Sequence, residues 1–164
     1  MRIEISIQQQ TLTLVDHFGG VKAKYPVSTA ANGVGCDKDS GCTPLGNHII
    51  RAKIGAGAQA NTVFVGRRQT GEICTPELMA QYPNRDWILT RILWLSGTEI
   101  GKNRLGNVDT MHRYIYIHGT PDSTDMSKVG SHGCVRMRNA DVIALFDAVE
   151  AGTSVVISEW LIFT

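Results

Sequence analysis

Apolar and polar positions alternate along most of this chain. Ile3, Ile5 and Ile7 alternate with Glu4 and Ser6, and Leu12 and Leu14 with Thr11 and Thr13. A period of two puts one residue set on one face of a strand, so two such runs around Gln8-Gln9-Gln10 predict a β-hairpin. After the Phe18-Gly19-Gly20 turn, Val21, Ala23 and Tyr25 predict a third strand, closed by Pro26. Residues Asn32 to Gly46, with four Gly and one Pro, read as loop. His48 to Ile54, Thr62 to Val65 and the long apolar run Ile88 to Leu95 read as further strands. The polar stretch Gly66 to Asp86, with Pro76 and Pro83, breaks the pattern and admits one helical turn at Glu77 to Gln81. Gly97 to Asp109 is loop, and Tyr114 to His118 alternates again.

The period changes once. Val142, Leu145, Phe146 and Val149 recur at i, i+3, i+4 and i+7, the apolar stripe of one amphipathic helix. Asn139 is the expected N-cap, Asp141 suits the positive end of the helix dipole, and Gly152 is the expected stop. Thr153 to Ser158 returns as a last strand, with Trp160 to Thr164 as a short tail. The predicted class is mainly β (α+β), a sandwich or cradle with one main helix.

At 164 residues a single domain over 1–164 is expected, large enough to bury a core. Sixteen basic and fifteen acidic residues leave a net charge of +1, which gives no reason to expect nucleic acid or an anionic membrane as partner. No run is long and apolar enough to span a bilayer, and the alternating N-terminus lacks the apolar core of a secretory signal. A cytoplasmic location is therefore expected, with a periplasmic one as the alternative if the chain is a trimmed piece. In a reducing compartment Cys36, Cys42, Cys74 and Cys134 are expected as thiols, although Cys36 and Cys42 flank a polar loop and could bridge in an exported protein.

The chemistry concentrates between Tyr114 and Met137. A strand ends at His118, and a Gly-flanked thiol follows in Ser131-His132-Gly133-Cys134-Val135-Arg136. One chain segment thereby supplies a nucleophile and a base. Cys134 alone would read as a small buried hydrophobe. On the strand, Tyr114, Tyr116 and His118 share one face, expected to line a cleft, while Ile115 and Ile117 face the core. The expected roles are Cys134 as nucleophile, His118 as its base, and the N–H groups of Gly133 and Cys134 as oxyanion donors. Arg136 suits a bidentate carboxylate contact, with a structural salt bridge to Asp141 as the alternative. Tyr116, Ser131 and Thr120 are further candidates for substrate binding. His118, His132 and Cys134 are three conceivable zinc ligands, but no Glu-bearing His pair accompanies them, so neither metal nor other cofactor is expected.

These motifs resemble the L,D-transpeptidase catalytic domain (YkuD) family, whose mark is a His-Gly or His-Ser pair followed by Ser/Thr-His-Gly-Cys and an Arg or Asn. Gln9-Gln10-Thr11-Leu12, Tyr25-Pro26-Val27-Ser28-Thr29 and Thr43-Pro44-Leu45-Gly46 are similar to its other landmarks. The resemblance implies that the Gly119 carbonyl orients His118, that His132 supports the site beside Cys134, and that Arg136 holds a substrate carboxylate or shapes the pocket. It implies acyl transfer on a peptidoglycan tetrapeptide stem, in which the thiolate attacks the carbonyl of a diamino acid such as meso-diaminopimelate and expels D-alanine. β-Lactams such as carbapenems are implied as covalent inhibitors. Water as acceptor gives L,D-carboxypeptidation; the amine of a second stem gives a 3-3 cross-link. The signal-free start resembles the short cytosolic L,D-carboxypeptidases of wall recycling, so that activity is the leading expectation. Transpeptidation is the alternative, and a non-catalytic stem-peptide binding module the second. Gly66 to Asp86 is the expected lid.

Overall fold

The computed structural model describes residues 1–160. The N-terminal hairpin forms as its alternation predicts: β1 (Arg2–Ser6) pairs antiparallel with β2 (Thr11–Val15), Ile3 opposite Leu14 and Ile5 opposite Leu12. β3 (Val21–Ser28) runs past Pro26, the expected stop. Pro26 lies opposite Thr11 at the end of β2, and beyond it Val27 and Ser28 pair along the other edge with β9 (Val135–Arg138). β4 (Gly46–Ile54), β5 (Thr62–Val65) and β7 (Ile88–Gly97) match the expected strands within a few residues.

Between β5 and β7 the polar stretch is more regular than expected. It contains β6 (Arg68–Ile73), a strand paired with β5, and the short α1 (Pro76–Gln81). Thr75 caps α1, its hydroxyl accepting from the Leu78 N–H at 3.1 Å, and Pro76 sits where no helical N–H partner is needed. β8 (Tyr116–Thr120), α2 (Asn139–Ala148) and β10 (Ser154–Ser158) complete the elements, with one 3-10 turn at Gly106–Val108. The expected tail lies, from residue 161 onward, outside the described residues.

The strands run β4-β10-β1-β2-β3-β9-β8-β7-β5-β6, and a further β4–β7 pairing closes the first eight on themselves. Among the described strands two pairings are parallel, β1 with β10 and β8 with β9. The enclosed core holds Ile3, Ile5, Leu12, Leu14, Ile50, Leu93, Leu95, Ile117, Val135 and Met137. α2 packs against β7, β8 and β9 and adds Val142, Leu145, Phe146 and Val149 as its stripe requires. This is the mainly β cradle with one main helix that the pattern implies.

Three local expectations are corrected. Asn139 is not the N-cap of α2; Arg138 holds that position, and Asn139 is the first helical residue, buried. Its amide is spent on tertiary contacts, accepting from Thr90 Oγ1 at 2.5 Å and donating to Asn61 Oδ1 at 2.8 Å. The helix stops at Ala148, before Gly152, because Val149 turns extended. Tyr114 is outside the strand that begins at Tyr116: its φ of +56° is left-handed and leaves the side chain exposed rather than aligned with Tyr116 and His118.

Candidate active site

The site is assembled by a parallel register. β8 and β9 pair Ile117 with Val135 and His118 with Arg136, and paired residues point to the same face. The face carrying Ile117, Val135 and Met137 closes on the core. The opposite face carries Tyr116 and His118 from β8 and Arg136 from β9. Cys134, one residue ahead of β9, lies beside Tyr116, whose N–H donates to Cys134 Sγ at 3.3 Å. Sequence-predicted nucleophile, base, Tyr and Arg are thus brought together on one surface.

His118 is buried, and its Nδ1 lies 2.6 Å from the carbonyl oxygen of Gly119. A carbonyl only accepts, so Nδ1 carries the proton and the lone pair of the neutral ring is on Nε2. This is the orientation that the resemblance implies. Gly119 is required by close approach: a Cβ there would meet Leu89 O and Asn139 Oδ1 at 2.5 Å. A bulge in β7 between Leu89 and Ile92 brings that carbonyl in, with Thr90 at φ +76°.

Burial sets the protonation of both partners. It lowers the His118 pKa below the ordinary value of 6.5, the Gly119 carbonyl opposing in part. Burial also pushes the Cys134 thiol up to about 12, against the favourable Tyr116 N–H. Burial thus disfavours both charged forms, the thiolate of Cys134 and the imidazolium of His118.

The turn before Cys134 is tightly held. Gly133 has φ +129°, and a Cβ there would meet Ile115 Cδ1 at 2.8 Å and Cys42 O at 3.1 Å. Its carbonyl accepts from Thr43 Oγ1 at 3.0 Å. The Gly133 N–H, expected as an oxyanion donor, donates instead to Ser131 Oγ at 3.2 Å. Among the described residues no acceptor takes the Cys134 N–H, which leaves it as the available donor. Ser131 is buried and its hydroxyl also donates to the Cys134 carbonyl at 2.6 Å, so it braces the turn rather than facing substrate. Thr120 is likewise buried, paired with the Thr124 hydroxyl at 3.1 Å. Arg113 braces the 32–46 loop, donating to Cys42 O at 2.6 Å and Gly35 O at 3.2 Å. Cys36, Cys42, Cys74 and Cys134 are all free thiols.

Two charged residues outside the motif reach this face. Arg136 donates to Asp86 Oδ1 at 3.2 Å, so its salt bridge runs to Asp86 and not to Asp141, and its buried Nε has no partner among the described residues. The exposed His132 ring stands at the rim, 3.8 Å from Asp86. There it borders a pocket of about 450 Å³ shared with Tyr114 and Arg113. Arg67, at the β5–β6 turn, donates to the Tyr116 hydroxyl at 3.1 Å. Arg67 and Asp86 are the two ends of the stretch expected as a lid, and both touch the site face. Neither was visible in the sequence: an Arg beside a turn Gly and an Asp in a polar loop carry no periodic or motif signal.

A protein-family model, the L,D-transpeptidase catalytic domain (YkuD), matches residues 1–157. The chain belongs to that family. A curated relative, "Putative L,D-transpeptidase YqjB" of Bacillus subtilis, is 42% identical over 43 residues, 26% of this chain and 24% of that protein. The structure of Bdellovibrio bacteriovorus Bd1075 is similar at a TM-score of 0.60, with 16% identity over 96% of this chain and 47% of that one. L,D-transpeptidase 3 of Mycobacterium tuberculosis, solved with a faropenem-derived adduct, gives 0.54, with 17% identity over 96% of this chain and 59% of that one. This YkuD-family chain therefore spans about a quarter of the curated relative and about half of these solved chains. At such identities the solved structures establish the fold alone.

Proposed function

We propose that the site performs cysteine-dependent acyl transfer on the L,D bond of a peptidoglycan tetrapeptide stem. The observation that carries this reading is the β8–β9 register, which sets Cys134 and His118 on one face while the Gly119 carbonyl leaves His118 Nε2 as the free base. As Cys134 Sγ attacks the third-residue carbonyl, His118 Nε2 takes its proton. The Cys134 N–H stabilises the developing oxyanion; a donor of this kind contributes roughly 3 kcal/mol. Collapse breaks the C–N bond, the imidazolium protonates the departing D-alanine amine, and a thioester remains. Neutral His118 then takes a proton from the acceptor. Water yields a tripeptide, which is L,D-carboxypeptidation; the amine of a second stem yields a 3-3 cross-link. Arg136 suits the substrate carboxylate once that group displaces Asp86.

A free thiol beside such a base also favours covalent capture of β-lactams, the chemistry named in the faropenem adduct of the tuberculosis relative. The test is mass spectrometry of a muropeptide tetrapeptide incubated with the protein and with Cys134→Ala. Tripeptide plus free D-alanine without dimer assigns a carboxypeptidase, and a dimer linked through two third-position residues assigns a transpeptidase. No product, and no faropenem adduct on Cys134, leaves a stem-peptide binding module and sinks the catalytic reading.

A further inference from the structure

The guanidinium of Arg67 is held unusually firmly for a turn residue. It lies 4.4 Å over the Trp94 ring and 5.0 Å from the Tyr114 ring centroid, and it donates to the Tyr116 hydroxyl. Arg67 and Tyr114 both hold left-handed backbone, φ +64° and +56°, a conformation that strains a non-glycine residue. Two strained residues are thus spent on one stack. Among the described residues no carboxylate pairs with Arg67, whereas Arg136 on the same face is paired with Asp86. A cation oriented by three aromatic side chains and left without a counter-charge is built to receive an anion.

Its position relative to the thiol defines which anion. The Tyr116 N–H touches Cys134 Sγ, and the hydroxyl at the far end of the same side chain touches Arg67. The nucleophile and the free cation are therefore separated by about the reach of one tyrosine residue, from N–H to hydroxyl, plus the hydrogen bonds of 3.3 and 3.1 Å at its two ends. The terminal carboxylate of the stem is one residue from the scissile carbonyl, too close to span that gap. The side chain of diaminopimelate, three methylenes ending in a carbon that bears amine and carboxylate, matches it. Resting on the acyl-transfer reading above, we infer that Arg67 is a specificity-determining residue that binds the distal carboxylate of the third stem residue. A lysine at that position would present only an ammonium to Arg67 and be repelled.

The experiment measures kcat/KM for D-alanine release from three tetrapeptide stems: diaminopimelate with a free distal carboxylate, diaminopimelate with that carboxylate amidated, and lysine. Wild-type protein is expected to favour the free acid over the other two by roughly 10- to 100-fold, the scale of a lost charge-assisted hydrogen bond. Arg67→Gln is expected to collapse that preference by lowering the free-acid rate, mainly through KM. Arg67→Lys, which keeps the charge without the stacked fork, should recover part of it. Equal rates on free-acid and amidated stems by wild-type protein would overturn the inference without any variant. So would an equal loss on all three stems in Arg67→Gln, which marks a purely structural role. Absence of D-alanine release from every stem would instead sink the acyl-transfer reading itself.

Discussion

Ile117 and His118 are adjacent in the chain and opposite in environment. Ile117 is sealed between Leu93 and Val135 in the core, with no polar atom to satisfy. His118 is equally buried, yet on the other face, where its Nδ1 is tied to the Gly119 carbonyl. The core face tolerates apolar exchange of similar volume. The site face is over-determined by Gly119, the Leu89 carbonyl and the bulge at Thr90. The difference teaches how one pair of strands serves both ends: the closed face provides rigidity, and the other spends it on holding His118 and the Cys134 thiol on one surface.

The largest expected effect breaks the site face alone. Cys134→Ala should lower D-alanine release by at least about 10⁴-fold while circular dichroism and melting remain those of the native protein. Retained turnover would end the mechanism. Next in size, His118→Ala should cost roughly 10²- to 10⁴-fold as loss of a general base. The pH profile sharpens the point. His118 acts as base only when neutral, and its pKa lies below 6.5, so the acid limb of kcat/KM should fall below that value. With the thiol pushed up to about 12, the difference spectrum of native protein minus Cys134→Ala should show no thiolate band at mildly alkaline pH, the other three thiols cancelling. A strong thiolate band there would mean a preformed ion pair instead.

Much of this was legible because two periods were clean. Ile117 and His118 announce their faces by alternation, and the Val142–Val149 stripe announces α2. What escaped had no period to show. β6 is an exposed edge strand, RQTGEI, in which Ile73 is the single apolar side chain. β9 has only four residues, and its apolar Val135 and Met137 are separated by Arg136, whose role depends on Asp86 fifty positions away. Tyr114 continues the alternation in sequence but leaves the strand through a left-handed φ that no neighbour signals. The Gly133 N–H was read as free because a motif cannot show that Ser131 turns back to occupy it. The Arg67 stack joins three separate segments, a purely tertiary fact.

A core-face change should separate the two faces by readout. Ile117→Ala removes a fully buried side chain, and such truncations cost about 2–5 kcal/mol of stability. Thermal or denaturant unfolding should show that loss, while activity per folded molecule at low temperature falls less than about tenfold. A loss of activity as deep as that of His118→Ala, at unchanged stability, would show that the faces are not separable.

The smallest effect tests the seam between the site face and the 66–86 stretch. Asp86 is half-exposed, so its pair with Arg136 is worth at most about 1 kcal/mol. A substrate carboxylate that reaches Arg136 must displace Asp86, and Asp86 also disfavours the Cys134 thiolate. Asp86→Asn removes both oppositions. KM for the tetrapeptide should therefore fall by a few-fold, with stability within about 0.5 kcal/mol of the parent. If KM rises instead, Asp86 is a support that aims Arg136 at the substrate, and the ion pair belongs to the working site rather than to its resting state.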